Sequence, residues 1–170
     1  MIIFQVALTD IPDNRSADMA TVATFAEKIG VEYRVLGMPE NKKHWQVDGL
    51  SNWIRAEFAA QNCPVMYADW DIEILPEFEL PIENRFDQLD PEAFFVLYDN
   101  EIMKKMFADL QEYYNRVETA HMERSRLNKL TRNYRDQMTF FPKHSGYIHK
   151  HHYLTHKPQL FTSMQKAVIL

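Results

Sequence analysis

The chain has 170 residues, of which 46% are hydrophobic and 13% aromatic, and this is enough apolar material for one folded domain. Its net charge of -5 gives no bulk electrostatic attraction for nucleic acid, and its single cysteine excludes a disulfide framework or a cysteine zinc cluster within one chain. Because the sequence shows neither a basic leader nor a stretch long enough to span a membrane, it predicts a soluble, cytoplasmic protein.

Segments with strand-like and helix-like hydrophobic spacing alternate along the chain. The alternation predicts an α/β fold with a mainly parallel sheet flanked by helices. Ser16 or Asp18 is the expected cap of the first helix. The apolar stripe expected in the last helix consists of Ile102, Met106, Leu110, Tyr113, Tyr114 and Val117. The predicted elements are, in chain order, a strand at Ile2–Leu8, a helix at Asp18–Ile29, a strand at Val31–Leu36, a helix at Asp48–Asn62, a strand in Cys63–Leu75, a loop at Phe78–Pro91, a strand at Ala93–Tyr98, one long helix or a bent pair at Glu101–Asn133, and a segment without clear periodicity at Phe140–Leu170.

An acidic pair follows the apolar run that begins at Cys63, in the sequence CPVMYADWDIEIL. In an extended chain, alternate side chains lie on the same side, which would place Asp69 and Asp71 close together. Two carboxylates so close repel each other unless a cation lies between them, and hard ions such as Mg²⁺ or Mn²⁺ prefer carboxylate oxygens. The sequence therefore predicts a metal–phosphate site at the end of a buried strand, with two solvated acids at a strand exit as the alternative.

Polar residues also follow the first predicted strand, at Thr9 and Asp10. Ligands of parallel sheets bind beyond the carboxyl ends of the strands, so these residues are expected at the same edge as the acidic pair. Only four glycines occur, and none are close enough together to form a dinucleotide fingerprint or a phosphate-cradling loop. A nucleotide would therefore have to be held by a metal ion and by side chains.

Three segments together resemble the DXD glycosyltransferases of the GT-A (nucleotide-diphospho-sugar transferase) fold. The first is SNWIRAEFAAQNCPVMYADWDIEIL, which is similar to that family's Arg-bearing helix and acidic strand. The second resembles the Asp-Gln pair of glycogenin-like and galactosyltransferase relatives, and the third resembles their C-terminal His-x₅-Lys-Pro segment. The matching residues are Ser51, Asn52, Trp53 and Arg55 in the helix, Tyr67, Asp69 and Asp71 in the strand, Asp136 and Gln137 in the pair, and His151, His152, Lys157 and Pro158 in the last segment.

The resemblance implies a metal-dependent hexosyltransferase that moves a sugar from a nucleotide diphosphate donor, a UDP-sugar first, to an acceptor that the sequence does not name. It implies a single domain, in which residues 1–100 form the nucleotide-binding part and residues 101–170 form a long helix and a histidine-rich C-terminal segment. The implied metal is Mn²⁺ or Mg²⁺, and an imidazole ligand suits Mn²⁺ better. The implied roles are metal ligation for Asp69, Asp71 and His151 or His152, nucleotide and phosphate binding for Thr9, Asp10, Arg55 and Lys157, and sugar or acceptor contacts for Asn100, Asp136 and Gln137.

Two other functions fit parts of the same sequence. A non-catalytic nucleotide-sugar-binding or scaffold protein would keep the fold and lack the acceptor region. The C-terminal half is short for the family, which favours this alternative. Asp71 and Glu73 also match the Asp-x-Glu strand of two-metal 3′–5′ exonucleases, in which Glu73 would be a ligand. In the transferase, Asp69 is the ligand instead. A homo-oligomer is compatible with the sequence, which names neither the sugar nor the stereochemical outcome.

Overall fold

The computed structural model describes residues 1–40, 47–87, 93–116, 134, 137–141 and 146–149. Within these residues, strands and helices alternate up to residue 68 as the sequence predicts, and strands then follow one another up to residue 97. The elements are β1 (Ile2–Val6), α1 (Asp13–Lys28), β2 (Glu32–Leu36), α2 (Val47–Gln61), β3 (Val65–Ala68), β4 (Ile72–Ile74), β5 (Arg85–Asp87), β6 (Phe94–Leu97), α3 (Glu101–Arg116), β7 (Thr139–Phe141) and β8 (Tyr147–His149).

The main sheet has six strands in the order β2-β1-β3-β6-β5-β7, and β4 pairs with β8 in a separate two-stranded sheet. β1 is parallel to β2 and β3, and β5 is parallel to β7, whereas β6 is antiparallel to both of its neighbours. Every residue of β3 and β6 is buried, as expected for central strands that are covered on both faces. The prediction of an α/β fold with a mostly parallel sheet flanked by helices is confirmed.

Two apolar clusters cover the two faces of the sheet, because side chains alternate along each strand. On one face, Phe4 and Tyr67 pack with residues of α2 and α3. On the other face, Ile3 and Met66 pack with residues of α1 and β4. Asp69 follows Tyr67 by two residues, so it emerges from the sheet on the side of α2.

The acidic run Cys63–Leu75 is split by a turn, and the prediction of one strand there is wrong. β3 ends at Ala68, and the N–H of Ile72 donates to the carbonyl of Asp69 at 3.1 Å, which closes the turn. β4 then leaves the main sheet and pairs antiparallel with β8. Asp69 and Asp71 are therefore carried by a turn between two strands, and we call residues 69–72 the acidic turn.

The direction of β6 places Asn100 at the opposite edge of the main sheet from the aspartates. β6 is antiparallel to β3, with Leu97 opposite Val65 and Phe94 opposite Ala68. The residues that follow β6 therefore lie where β3 begins, whereas Asp69 follows the end of β3. Local hydrophobicity predicts a strand at this position but carries no information on the direction in which the strand pairs.

Gln137 also lies at the edge where β3 begins. It precedes β7, whose first residue, Thr139, is opposite Arg85. Arg85 is opposite Val96, which is opposite Met66 of β3. Gln137 is exposed at this edge, and its predicted partner Asp136 lies outside the described residues.

The first helix begins earlier than the sequence predicts. α1 starts at Asp13, its N-cap is Pro12, and no side chain caps it. The hydroxyl of Ser16 donates to the carbonyl of Asp13 at 2.7 Å, so neither Ser16 nor Asp18 is the cap. The carbonyl of Pro12 accepts from the N–H groups of Arg15 at 2.7 Å and Ser16 at 3.2 Å, so the first turn of the helix already includes Ser16.

The later elements differ from the prediction in three places. The buried stripe of α3 includes the predicted Met106, Leu110 and Tyr114, whereas the predicted Ile102 is exposed and Met103 and Phe107 are buried as well. β5 lies inside the predicted loop at Phe78–Pro91, and β7 and β8 lie in segments where no element was predicted. The predicted helix beyond Arg116 lies outside the described residues.

Candidate functional site

The acidic turn and the residues after β1 share one edge of the main sheet. β1 and β3 are parallel neighbours, with Phe4 opposite Tyr67, so both strands end at the same level. Asp69 follows β3 there, and Thr9 and Asp10 follow β1 with exposed side chains. This edge is where ligands of open α/β sheets bind, which makes the acidic turn the candidate functional site.

The backbone of Asp69 is held by three hydrogen bonds. Its N–H donates to the carbonyl of Ala93 at 2.7 Å, which extends the pairing of β3 with β6. Its carbonyl accepts from the N–H of Ile72 at 3.1 Å and from the Nε2 amide of Gln5 at 3.0 Å. Gln5 is fully buried in β1, and its Oε1 accepts from the hydroxyl of Tyr33 at 2.6 Å. The turn is thereby tied to both neighbouring strands.

The carboxylate of Asp69 contacts a tyrosine and an arginine. The hydroxyl of Tyr67 donates to Oδ1 of Asp69, and Nη2 of Arg55 lies 3.9 Å from the same oxygen. The guanidinium carbon of Arg55 is 4.3 Å from the centroid of the Tyr67 ring, close enough for a cation–π interaction. The side chain of Arg55 is 8% exposed and that of Asp69 is 26% exposed. Arg55, predicted from the sequence as a site residue, is therefore next to Asp69.

The hydroxyl of Tyr67 stays protonated across the neutral pH range. Burial raises the pKa of Tyr67 well above its ordinary value, and the charges of Asp69 and Asp71 raise it further, while the guanidinium of Arg55 lowers it. The hydroxyl can therefore donate to Asp69 wherever the protein is folded near neutral pH. Asp69 and Asp71 are both carried by the acidic turn, so they lie in the same small region.

Asp71 is the more deeply buried of the two aspartates in the acidic turn, at 7% exposure. With Asp69, it places two carboxyl groups in the acidic turn, beside the guanidinium of Arg55. Carboxylate oxygens are the ligands that Mg²⁺ prefers and that Mn²⁺ accepts. Within the described ranges, no group of three or more His, Cys, Asp or Glu side chains is arranged to hold a metal ion.

The pairing of β4 with β8 brings the C-terminal part of the chain to this site. His149 is opposite Ile72, the residue that follows Asp71. His151 and His152 come two and three residues after His149, and they lie outside the described residues, as does Lys157. Their roles remain predictions.

Asn100 has a structural role at the other edge of the sheet. Its Oδ1 accepts from the backbone N–H groups of Ile102 at 3.0 Å and Met103 at 3.3 Å, and this caps the N-terminus of α3. The structure therefore brings Asp69, Asp71 and Arg55 together and separates them from Asn100. Gln137 is likewise at the other edge.

Sequence reasoning missed Gln5 and Tyr33. Gln5 is the polar residue inside the apolar run IIFQVAL, and a buried amide must find hydrogen-bond partners. That signal was present in the sequence, although it does not say which partner the amide finds. The link to Tyr33 depends on the parallel pairing of β1 with β2, which places Gln5 opposite Val35.

The comparisons with known proteins show a fold likeness. No protein-family model matches the sequence, and no curated protein matches it. The structure is similar to a solved structure described as a glycosyltransferase involved in the glycosylation of the major capsid of PBCV-1. The TM-score is 0.52 at 12% sequence identity, and the match covers 82% of this chain and 79% of that chain. The chain therefore has a glycosyltransferase-like fold.

The helices of the described residues were also compared with the requirements of a bilayer. None of them combines the length and the hydropathy that a membrane-spanning helix needs.

Proposed function

We propose that this protein is a metal-dependent glycosyltransferase of the GT-A type, which binds a nucleotide-diphosphate sugar through Mn²⁺ or Mg²⁺ held by Asp69 and Asp71. The observation that carries the proposal is the acidic turn at the carboxyl end of β3, with Asp71 buried and Asp69 anchored through its backbone and its carboxylate. The glycosyltransferase-like fold supports it independently. A UDP-sugar is the first donor to test.

The donor set fits a hard divalent cation. Asp69 and Asp71 would supply carboxylate oxygens, and such ions complete their coordination with water and ligand phosphates. His149 of β8 lies opposite Ile72, the residue after Asp71, and this supports a histidine from the C-terminal segment as a further ligand. His151 and His152, which follow His149 by two and three residues, are the histidines proposed for this role.

The chain's own residues would divide the work of binding and orientation. A bound divalent cation neutralises the charge that develops on a diphosphate leaving group. Arg55 is buried against Asp69 and Tyr67, so we assign it to holding the carboxylate of Asp69 in place. Thr9 and Asp10, exposed at the same edge, would hydrogen-bond the base or ribose. Lys157 would add a positive charge near the phosphates.

A thermal-shift screen of nucleoside diphosphates and their sugars, with and without Mn²⁺, tests the proposal. A ligand present at a hundred times its Kd stabilises the native state by about 2.7 kcal/mol, which corresponds to roughly 5–10 °C for a chain of this size. We expect UDP to raise the melting temperature only when Mn²⁺ is present. No stabilisation by any nucleoside diphosphate with Mn²⁺ would contradict the proposed donor site.

Two matched variants separate the transferase from the exonuclease. Asp69→Asn and Glu73→Gln both replace a carboxylate by an amide of the same shape. Of these two carboxylates, only that of Asp69 is a metal ligand in the transferase, whereas that of Glu73 is a ligand in the exonuclease. We expect Asp69→Asn to lose UDP–Mn²⁺ binding in isothermal titration and Glu73→Gln to retain it. The opposite result would favour the two-metal nuclease.

A turnover assay separates an active enzyme from a binding or scaffold protein. UDP-glucose and UDP-galactose with Mn²⁺ are the donors to use, and release of UDP is the readout. We expect release above the rate without protein, and its loss in Asp71→Asn. Tight UDP–Mn²⁺ binding without any UDP release would instead favour the non-catalytic nucleotide-sugar-binding protein.

A further inference from the structure

We propose that Gln5 and Tyr33 are positioning residues that fix the acidic turn and thereby set the affinity of the site for a divalent cation and its nucleotide. This inference rests on the proposed function, because it concerns the same two aspartates. It adds two residues that contact neither the cation nor the nucleotide and that act through the backbone of Asp69.

A continuous chain of hydrogen bonds connects β2, β1 and the acidic turn. The hydroxyl of Tyr33 in β2 donates to Oε1 of Gln5 in β1 at 2.6 Å, and Nε2 of Gln5 donates to the carbonyl of Asp69 at 3.0 Å. Tyr33 thereby fixes the orientation of the Gln5 amide, because an amide that accepts at Oε1 must direct its Nε2 away from Tyr33. We call this arrangement the glutamine brace.

The carbonyl that the glutamine brace holds is the one that closes the turn. It also accepts from the N–H of Ile72 at 3.1 Å, so a shift of this carbonyl would move both Asp69 and the residue after Asp71. Hydrogen bonds that orient metal ligands from a second layer commonly change metal affinity by about 10–100-fold when removed. The brace acts through a backbone carbonyl rather than on a carboxylate itself, so we expect the lower end of this range, about tenfold.

Burial makes the glutamine brace a firm connection. Gln5 is fully buried, so leaving its amide without partners would cost the full desolvation free energy of the group, which exceeds the net contribution of one hydrogen bond. Burial also raises the pKa of Tyr33 to about 12, so its hydroxyl keeps its proton and continues to donate at physiological pH. The brace is therefore intact over the whole range in which the protein would work.

The test uses the full-length protein with Tyr33→Phe and Gln5→Met. Tyr33→Phe removes the hydroxyl and keeps the ring, and Gln5→Met keeps the length of the side chain and removes its amide. Tyr98→Phe is the matched control, because the hydroxyl of Tyr98 likewise donates to an amide carbonyl oxygen, here the backbone carbonyl of Pro81, away from the acidic turn. Affinity for Mn²⁺ and for UDP with Mn²⁺ is measured by isothermal titration, well below the melting temperature of each variant.

A second readout requires no metal. Trp70 lies inside the acidic turn, so 5-fluorotryptophan labelling and ¹⁹F NMR report on the turn directly, with the resonance assigned by Trp70→Phe. We expect Tyr33→Phe and Gln5→Met to shift or broaden the Trp70 resonance and to weaken Mn²⁺ binding about tenfold. Tyr98→Phe should leave both unchanged.

The outcomes separate this inference from the proposed function. If the Trp70 resonance or the Mn²⁺ affinity of both brace variants matches that of the wild type, the positioning role is wrong even though the donor site stands. Equal effects in Tyr98→Phe would also overturn it, because they would indicate general destabilisation. If the wild type binds no UDP with Mn²⁺, the proposed function fails, and the ¹⁹F comparison alone decides whether Gln5 and Tyr33 hold the turn.

Discussion

Replacing Arg55 by Met removes a buried cation from Asp69 and from the ring of Tyr67, while most of the aliphatic stem is kept. The nitrogen–oxygen distance is 3.9 Å, and the two side chains are 8% and 26% exposed. Breaking a fully buried ion pair costs about 3–5 kcal/mol, and breaking an exposed pair costs about 0–1 kcal/mol. The pair of Arg55 and Asp69 lies between these limits, at about 1–2 kcal/mol, and the cation–π contact adds about 1 kcal/mol.

We therefore expect Arg55→Met to lower the free energy of unfolding by about 2–3 kcal/mol, which corresponds to roughly 5–10 °C in melting temperature. Urea denaturation followed by circular dichroism measures the loss. A matched control is Arg34→Met, because Arg34 pairs with Glu32 at 2.6 Å and lies 5.9 Å from the Phe58 ring, while the Arg34 and Glu32 side chains are 46% and 53% exposed.

Solvent screens the pair in the control, so the loss in Arg34→Met should stay within about 0.5 kcal/mol. If Arg55→Met is no more destabilising than Arg34→Met, the reasoning from burial is refuted. Arg55 would then be an ordinary helix residue and not a support for Asp69.

Three further perturbations test other parts of the structure. Asn100→Ala removes the N-terminal cap of α3, so it should lower the free energy of unfolding in urea by about 1 kcal/mol and leave UDP–Mn²⁺ binding unchanged. Weaker UDP–Mn²⁺ binding would indicate that Asn100 belongs to the donor site. Gly146 has a φ of +83, and the Cβ that Gly146→Ala adds would lie 2.8 Å from Cα of Phe78, so this change should lower the free energy of unfolding by about 2–4 kcal/mol. Gly30→Ala, where the added Cβ meets no atom within 4 Å, should cost about 1–2 kcal/mol, and equal costs would contradict the close approach at Gly146. The pKa of Tyr33 is raised to about 12 in the folded protein, so its contribution to stability is fully present below the unfolded pKa of about 10 and is lost as the pH rises to about 12. Tyr33→Phe should therefore lose less stability than the wild type between these pH values, and identical slopes of unfolding free energy against pH would argue against a perturbed pKa.

The core of the fold was predictable because its strands and helices carry strong local patterns. β3 and β6 are runs of apolar residues with every position buried, and such runs are typical of central strands. α2 was predicted to within one residue at each end, at Asp48–Asn62 against the observed Val47–Gln61. In these segments local preference and tertiary packing favour the same structure.

The missed features depend on partners that are distant in sequence. The antiparallel direction of β6 is set by its pairing with β3 and β5, and no local pattern near Phe94–Leu97 encodes it. The break after Ala68 likewise depends on β8, which provides β4 with a different partner from the main sheet. The separation of Asn100 from Asp69 follows directly from the first of these, because a parallel β6 would have ended beside Asp69.

The charged residues of the candidate site were predictable from the sequence, and the residues that hold the acidic turn in place were not. Asp69, Asp71 and Arg55 carry chemistry that the motif itself displays, and the structure brings them together. Gln5 and Tyr33 act through a backbone carbonyl, which appears in no side-chain pattern. A buried polar residue in an apolar strand is the available sequence signal for such a support.

The most direct measurement is the position of Mn²⁺ in crystals grown with UDP and Mn²⁺, located by anomalous scattering at the manganese edge. We predict one manganese peak within coordination distance of carboxylate oxygens of Asp69 and Asp71, about 2.0–2.3 Å away, with UDP bound at the same ion. A manganese–UDP complex bound elsewhere, with Asp69 and Asp71 both facing bulk water, would contradict the donor site.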